Sequence, residues 1–226
     1  MNRPTKWSTR PGAASVMRVA LAMAIAAVSL APAWADAPTV AGLGAGSRLW
    51  LEGNSTLHHY ESTATKLEVR MTGTETAANL DALEQMVRKG DVKGLEVSIP
   101  VAAMQSGKSG LDKNMRTALK ADANPTITFR LERYEVANAT DSLVIDAHGT
   151  LKVAGVEQVI DVRAGAVRNG DVLRIRGEKQ LLMTQFGVKP PTMMMGTVKT
   201  SDQIVIRFDL RMTPGSTSSL VGAKGD

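Results

Sequence analysis

The sequence predicts an all-β protein with short helices, in which eight antiparallel strands close into one β-barrel. Segments with an apolar residue at every second position dominate the chain, and this is the period of a half-buried strand. Short turns separate these segments in the second half, and consecutive strands joined by short turns run antiparallel. Closing such a sheet into a barrel removes its two exposed edges.

The eight expected strands lie near residues 47–53, 56–74, 93–102, 126–138, 142–154, 156–168, 171–185 and 202–213. The last is the clearest, because Ile204, Ile206 and Phe208 alternate with Arg207 and Asp209. The alternation predicts which side chains face the interior of the barrel.

Tight turns connect several of these strands. Asn169 and Gly170 stand between two alternating runs and predict a type I′ turn, in which both central residues take a positive φ. Further turns are expected at 138–141 and at Ala154-Gly155.

Two helices interrupt the strand pattern. In the first, Asn79 is a suitable N-cap, Gly90 suits the position after the helix, and the residues between them form one apolar stripe. That stripe consists of Leu80, Leu83, Met86 and Val87. The second runs over Leu111–Leu119 and ends before Asn124-Pro125, since proline disfavours a helical residue before it. We expect both helices to cover an end or a side of the barrel and to complete its core.

The two ends of the chain are predicted to lie outside the barrel. Residues 1–35 have a basic start, an apolar run Val19–Leu30 and small residues at Ala33 and Ala35, which is typical of a signal peptide cleaved after Ala35. Twelve apolar residues are too few to span a bilayer, which takes about 20. We therefore expect export to the periplasm, a linker at 36–46, a barrel domain at 47–213 and a disordered tail at 214–226.

Charge and cysteine content exclude several classes of function. The chain has 27 basic and 22 acidic residues, but four basic residues and no acidic ones precede the cleavage point. The mature chain therefore carries 23 basic and 22 acidic residues, and this near balance argues against binding to nucleic acid. The absence of cysteine excludes thiol catalysis, zinc–thiolate sites and covalently attached haem. No membrane span is expected in the mature form.

No catalytic or metal-binding pattern emerges from the motifs. Ser106-Gly107-Lys108-Ser109 resembles the end of a phosphate-binding loop, but Ala102 stands where the first glycine is needed. His58 and His59 are neighbours and would point to opposite faces of a strand, which prevents joint chelation. No serine lies in a G-x-S-x-G context. We expect a non-enzyme without a cofactor or a metal site.

The segment 186–196 is unusual, because two prolines are followed by Met193, Met194 and Met195. Methionine is flexible and polarisable and adapts to apolar ligands of irregular shape. The same residues could instead plug the barrel end, or bind Cu(I) as soft ligands. The sequence leaves these three interpretations open.

Three stretches together resemble the YceI-like family: STLHHYESTATKLEV, SGKSGLDKNMRTALKADANPTITF and GEKQLLMTQFGVKPPTMMMGTVKT. The resemblance covers residues 47–212. It implies a lipocalin-like barrel that binds a polyisoprenoid or another lipid, and it transfers no catalytic residue.

The leading hypothesis is a carrier that holds an apolar chain inside the barrel. Its predicted lining is Phe129, Leu131, Leu181, Met183, Phe186, Met193, Met194, Met195 and Phe208. The alternatives are a structural or interaction protein with a filled core and, last, copper binding by the methionine loop. The oligomeric state is not predicted.

Overall fold

The computed structural model describes residues 38–139, 142–193, 197–215 and 218–221. The strands of this part are β1 Thr39–Leu43, β2 Arg48–Ser55, β3 His59–Ala64, β4 Lys66–Gly73, β5 Val92–Pro100, β6 Met104–Gln105, β7 Thr126–Ala139, β8 Ser142–Val153, β9 Val156–Asn169, β10 Val172–Leu182, β11 Thr192–Met193, β12 Val198–Pro214 and β13 Ser218–Val221. The helices are α1 Leu80–Lys89 and α2 Ser109–Ala118, with short 3-10 helices at Val101–Ala103 and Met183–Phe186.

Eight strands form a closed ring in the order β1, β4, β5, β7, β8, β9, β10, β12, and β1 pairs with β12 to complete it. Every pair in the ring is antiparallel. The predicted eight-stranded antiparallel barrel is therefore confirmed.

Three further strands, β2, β3 and β6, extend the wall beside β12. This strand is 17 residues long, so that β1 pairs with its last residues while β2 pairs with residues from Thr200 to Asp209. The hairpin of β2 and β3 then continues to the short strand β6. The barrel wall near the start of β12 is built from these extra strands.

The helix α1 closes one end of the barrel, which we name the α1 end. Asn79 accepts a hydrogen bond from the backbone N–H of Ala82, and Gly90 follows the helix with a φ of 79°. These are the predicted caps. The predicted apolar stripe is buried, and Leu83 is fully enclosed at 0% exposure. This helix therefore completes the core, as expected.

The helix α2 lies at the opposite end, the α2 end, together with the β8–β9 turn and the 3-10 helix Met183–Phe186. None of its residues is fully buried. A small apolar cluster of Ala154, Leu181, Phe186 and Val188 packs beside it. The two helices therefore cover the barrel ends to different degrees.

The chain ends contribute more than we predicted. The strand β1 lies inside the predicted linker 36–46, and Val40 to Leu43 are buried. The linker prediction was wrong here because a strand buried on both faces shows no polar–apolar alternation. The strand β13 lies inside the predicted disordered tail 214–226 and pairs with Lys66–Val69 of β4. The residues Lys66–Val69 are available to β13 because β1, on the same edge of β4, pairs only with Met71 and Thr72.

The type I′ turn was assigned to the wrong hairpin. Asn169 is the last residue of β9 and pairs with Val172, so the turn residues are Gly170 and Asp171, and only Gly170 has a positive φ. In the β8–β9 turn both central residues are left-handed, Ala154 at φ 51° and Gly155 at φ 85°. The type I′ requirement of two positive φ values is met there.

Within the described ranges, no helix is long and apolar enough to cross a membrane.

Candidate ligand cavity

The barrel encloses a cavity of about 310 Å³. Its wall consists of inward-facing residues from β4, β5, β7 to β10 and β12, with β2 and β3 on one side. On β9, for example, Ile160 and Val162 line the cavity while Asp161 and Arg163 are exposed. The strict alternation of the strands therefore produces an apolar interior and a charged exterior.

Six of the nine residues predicted to contact a ligand line this cavity: Phe129, Leu131, Leu181, Met183, Phe186 and Phe208. Met193 belongs to β11, which pairs with the start of β12. Met194 and Met195 lie outside the described residues. That any of the nine contacts a ligand stays a prediction.

Aromatic rings of the wall lie over glycines of neighbouring strands. Phe208 faces Gly177 directly across the β10–β12 pair, and a Cβ placed on that glycine would overlap its ring. Tyr60 covers Gly53 in the same way, and Phe129 covers Gly149. Because each ring occupies space that a side chain would otherwise take, the rings pack against the wall.

The α2 end provides the looser cover of the cavity. Leu111, Met115, Ala118 and Leu119 line the cavity from α2 and the residue after it, and all four are partly exposed. At the α1 end, by contrast, the cavity meets the buried Val87 of α1. Of the two ends of the barrel, the α2 end is therefore the more exposed.

The comparisons with known proteins agree with this architecture. Residues 51–212 match the model of the YceI-like domain family. The chain belongs to the YceI-like family. Among solved structures it is similar to BcnA of Burkholderia cenocepacia, with 16% identity, a TM-score of 0.55 and coverage of 73% of this chain and 95% of that one.

A second similar structure is a polyisoprenoid binding domain from Saccharophagus degradans implicated in plant cell wall breakdown. Its identity is 14%, its TM-score is 0.54, and the match covers 78% of this chain and 99% of that one. At these identities the two similarities show the fold alone. No curated protein matches this YceI-like chain.

The apolar lining of this YceI-like barrel contains few polar side chains. They are Tyr60, Ser62, Asn114, Tyr134, Lys179 and Thr200. Lys179 is the one charged residue of the described lining. The cavity thus offers an apolar chain a large contact area and offers a polar group few partners.

Both tyrosines are partly enclosed. Burial raises the pKa of Tyr60 and is also the main cause of the raised pKa of Tyr134. The hydroxyl of Tyr134 donates a hydrogen bond to the carbonyl of Val87 at 3.2 Å and accepts one from the N–H of Val92 at 3.3 Å. Tyr134 therefore connects the barrel wall to the end of α1.

The barrel wall is split beside Lys179. The β9–β10 pairing runs from Val172 and Asn169 to Glu178 and Arg163, whereas Lys179 to Leu182 pair only with β12. The 3-10 helix Met183–Phe186 bridges part of this gap, because the side-chain amide of Gln158 donates a hydrogen bond to the carbonyl of Gln185 at 2.9 Å.

The histidines of this YceI-like protein lie outside the cavity lining. His58 and His59 are exposed, and the Nδ1 of His148 lies 2.6 Å from Asp161 Oδ1 on the outer face. This hydrogen bond is the main reason why the pKa of Asp161 is lowered. No group of three or more potential metal ligands is found in the described ranges. Copper binding by the methionine loop stays a prediction, since Met194 and Met195 are not described.

The polar members of the lining were not among the residues predicted from the sequence. Extending the β10 alternation from Leu173 and Ile175 through Gly177 places Lys179 on the inward face. A lysine in a strand is normally taken as outward-facing, so this signal was present but was not followed. Asn114 belongs to α2, where the helical spacing from Leu111 and Met115 would have identified it.

Proposed function

We propose that this YceI-like protein is an exported, non-catalytic carrier that holds the apolar chain of a lipid, such as an isoprenoid, inside its barrel. The observation that carries the proposal is the apolar cavity of about 310 Å³ inside the barrel. Ligand cavities in proteins range from about 300 to 1,000 Å³. A slim chain is the ligand shape that an eight-stranded barrel accommodates.

The energetics of chain burial support this proposal. At the ~30 Å³ that a water molecule takes in the liquid, the cavity has room for at least about ten carbon-sized atoms. Burying about ten methylenes at ~0.8 kcal/mol each gives about 8 kcal/mol before the costs of association. This gross gain exceeds the lower estimates of that cost, about 4 kcal/mol, without any polar contact.

Two further observations support the finer parts of the proposal. The similar Saccharophagus degradans structure is described as a polyisoprenoid binding domain, which makes an isoprenoid chain our first choice of ligand. The basic, apolar and small-residue pattern of residues 1–35 supports export to the periplasm. The scarcity of polar groups in the cavity supports a carrier rather than an enzyme.

A barrel with a solid core that only displays its loops to a partner is the competing function. It requires an interior without a void beyond about 300 Å³. The cavity of about 310 Å³ lies at that limit, and its apolar lining favours a carrier.

The test uses two variants of one strand. Val162→Phe places a ring in the cavity, whereas Val159→Phe places the same ring on the outer face, where Val159 is 58% exposed. Each protein is purified from the exported fraction without detergent, extracted with organic solvent and analysed by mass spectrometry. Circular dichroism and thermal melting show whether both variants are folded.

We expect lipid in the wild type and in Val159→Phe, and at least about tenfold less in Val162→Phe. The same amount of lipid in all three folded proteins would place that lipid outside the cavity. Repeated wild-type preparations without lipid, combined with no binding of added isoprenoid, would refute the carrier.

A further inference from the structure

Lys179 is a cation inside an otherwise apolar lining. On β10 the inward positions are Leu173, Ile175, Gly177, Lys179 and Leu181, and four of the five have no polar side chain. Lys179 is partly buried, and its Cα is paired with that of the cavity-lining Ile206. The alternation of the strand therefore places a positive charge on the cavity side.

No acidic residue of the described lining offsets this charge. The described part of the chain has no ion pair to Lys179 within 4.0 Å. The charge of Lys179 is one of the lesser causes of the lowered pKa of Asp161, but this carboxylate is on the outer face and bonds to His148. A cation in such surroundings is costly unless an anion or water compensates it.

The split in the wall explains how a charged group can be accommodated there. Lys179 is the first residue of β10 beyond the pairing with β9, so its side chain leaves the strand where the wall is open. A lysine stem can pack along apolar surface while its charged end stays near water. A second charged group could therefore meet the ammonium without complete loss of hydration.

We propose that Lys179 binds the anionic headgroup, a carboxylate or a phosphate, of an amphiphile whose chain fills the cavity. This inference rests on the proposed carrier function and specifies its ligand class. A lysine ammonium is a compact charge with three donors, and its hydrogen bonds to carboxylate or phosphate oxygens are charge-assisted. The chain supplies affinity, and the headgroup contact selects among amphiphiles of equal length.

The experiment compares three ligands that share one C15 isoprenoid chain: farnesyl monophosphate, farnesoic acid and farnesol. Affinities are measured with delipidated protein from the exported fraction, by displacement of a fluorescent apolar probe below the micellar concentrations. The variants are Lys179→Met, Lys179→Arg and the control Lys93→Met, which removes an exposed lysine from β5. Thermal melting verifies that each variant is folded.

We expect the wild type to bind an anionic ligand about 10- to 100-fold more tightly than farnesol, the range for a charge-assisted contact. Lys179→Met should lose this preference without weakening farnesol, whereas Lys179→Arg and Lys93→Met should keep it. The phosphate and carboxylate arms identify which anion is preferred.

Three outcomes would overturn parts of the argument in distinguishable ways. Equal binding of all three ligands by the wild type refutes the headgroup inference and leaves the carrier intact. A preference that survives in Lys179→Met places the anion elsewhere and refutes the role of Lys179, whose ammonium then only faces water. Binding of none of the ligands refutes the carrier itself.

Discussion

At the scale of single residues, the pairing of Gly177 with Phe208 determines where the aromatic ring packs in the barrel. The phenyl group occupies the place of a Cβ on Gly177. The same Cβ would also approach the carbonyl oxygen of Arg163 to 2.7 Å, and this backbone atom cannot move without disturbing β9. Any side chain at this position must push the ring into the cavity or distort the wall.

We therefore expect Gly177→Ala to lower the free energy of unfolding by about 1–3 kcal/mol, the usual cost of overpacking. Urea unfolding followed by circular dichroism measures the change. The control is Gly165→Ala on β9, where an added Cβ meets nothing within 4 Å and φ is not positive. A loss at Gly165 as large as that at Gly177 would show that backbone effects, not the ring contact, are responsible.

The same scale shows what the sequence could predict about the site. Alternation alone identified Phe129, Leu181 and Phe208 as inward-facing, and all three line the cavity. Lys179 was missed because a charged residue in a strand is assigned to solvent by default, although the alternation of β10 already placed it inside, and the register with Ile206 agrees. The covering of glycines by rings depends on neighbouring strands and cannot be deduced from one segment.

At the scale of elements, the bulge in β7 attaches α1 to the wall. The β7–β8 register shifts between Leu131 and Arg133. Inward positions change from odd to even numbers there, so that Tyr134 and Val136 face the core after Phe129 and Leu131. The shift directs the Tyr134 hydroxyl to the C-terminal turn of α1, where carbonyl groups lack helical partners.

We predict that Tyr134→Phe lowers the free energy of unfolding by about 0.5–1.5 kcal/mol at pH 8, the net value of such a hydrogen bond. Burial raises the pKa of Tyr134 in the folded protein, since it disfavours the ionised form. The contribution of Tyr134 to the free energy of unfolding is therefore complete below about pH 10, the ordinary pKa of tyrosine. It is lost as the pH rises from there through the raised pKa of the folded protein.

Urea titrations between pH 8 and 11 test both parts of this prediction. The difference between wild type and Tyr134→Phe should shrink above about pH 10. Tyr60→Phe is the control for a tyrosine that is buried but lacks the hydrogen bond. Burial also raises the pKa of Tyr60, whereas no hydrogen bond of its hydroxyl is seen in the described part. A wild-type stability that rises above pH 10 would contradict the assigned direction.

Most elements were predictable, and the exceptions have physical reasons. Long strands with one apolar face and the capped helix α1 carry strong local signals. The strand β1 is buried on both faces, and β13 exists because an edge of β4 is free, so neither is encoded by a local pattern. The Asn169-Gly170 pair has the composition of a type I′ turn, but the strand register moves the turn by one residue.

At the scale of the whole molecule, the barrel limits the length of chain that it can enclose. α1 closes one end with fully buried residues, while α2 covers the other end with partly exposed ones. A chain longer than the cavity must therefore extend away from the α1 end and into solvent. Each added carbon of the chain should consequently increase the binding free energy strongly inside the barrel and only slightly outside it.

We expect affinity for unbranched n-alkanols to rise by up to about fourfold per methylene, and to level off once the cavity is filled. The volume predicts a continuous rise to at least about ten carbons. Probe displacement with alcohols of six to sixteen carbons measures the curve. An affinity that does not depend on length below ten carbons would mean that the cavity is not the binding site.

The pairing of β1 with β12 joins the first strand of the barrel to the last, and it therefore also determines when the barrel can form. Thr213 donates a hydrogen bond to the carbonyl of Gly42, across 171 positions of sequence. The ring therefore cannot close before nearly the whole chain has been synthesised. Contacts this distant in sequence make folding slow. Late closure of the ring suits the export proposed above, because a chain that is still unfolded is the form that could pass through a translocation channel.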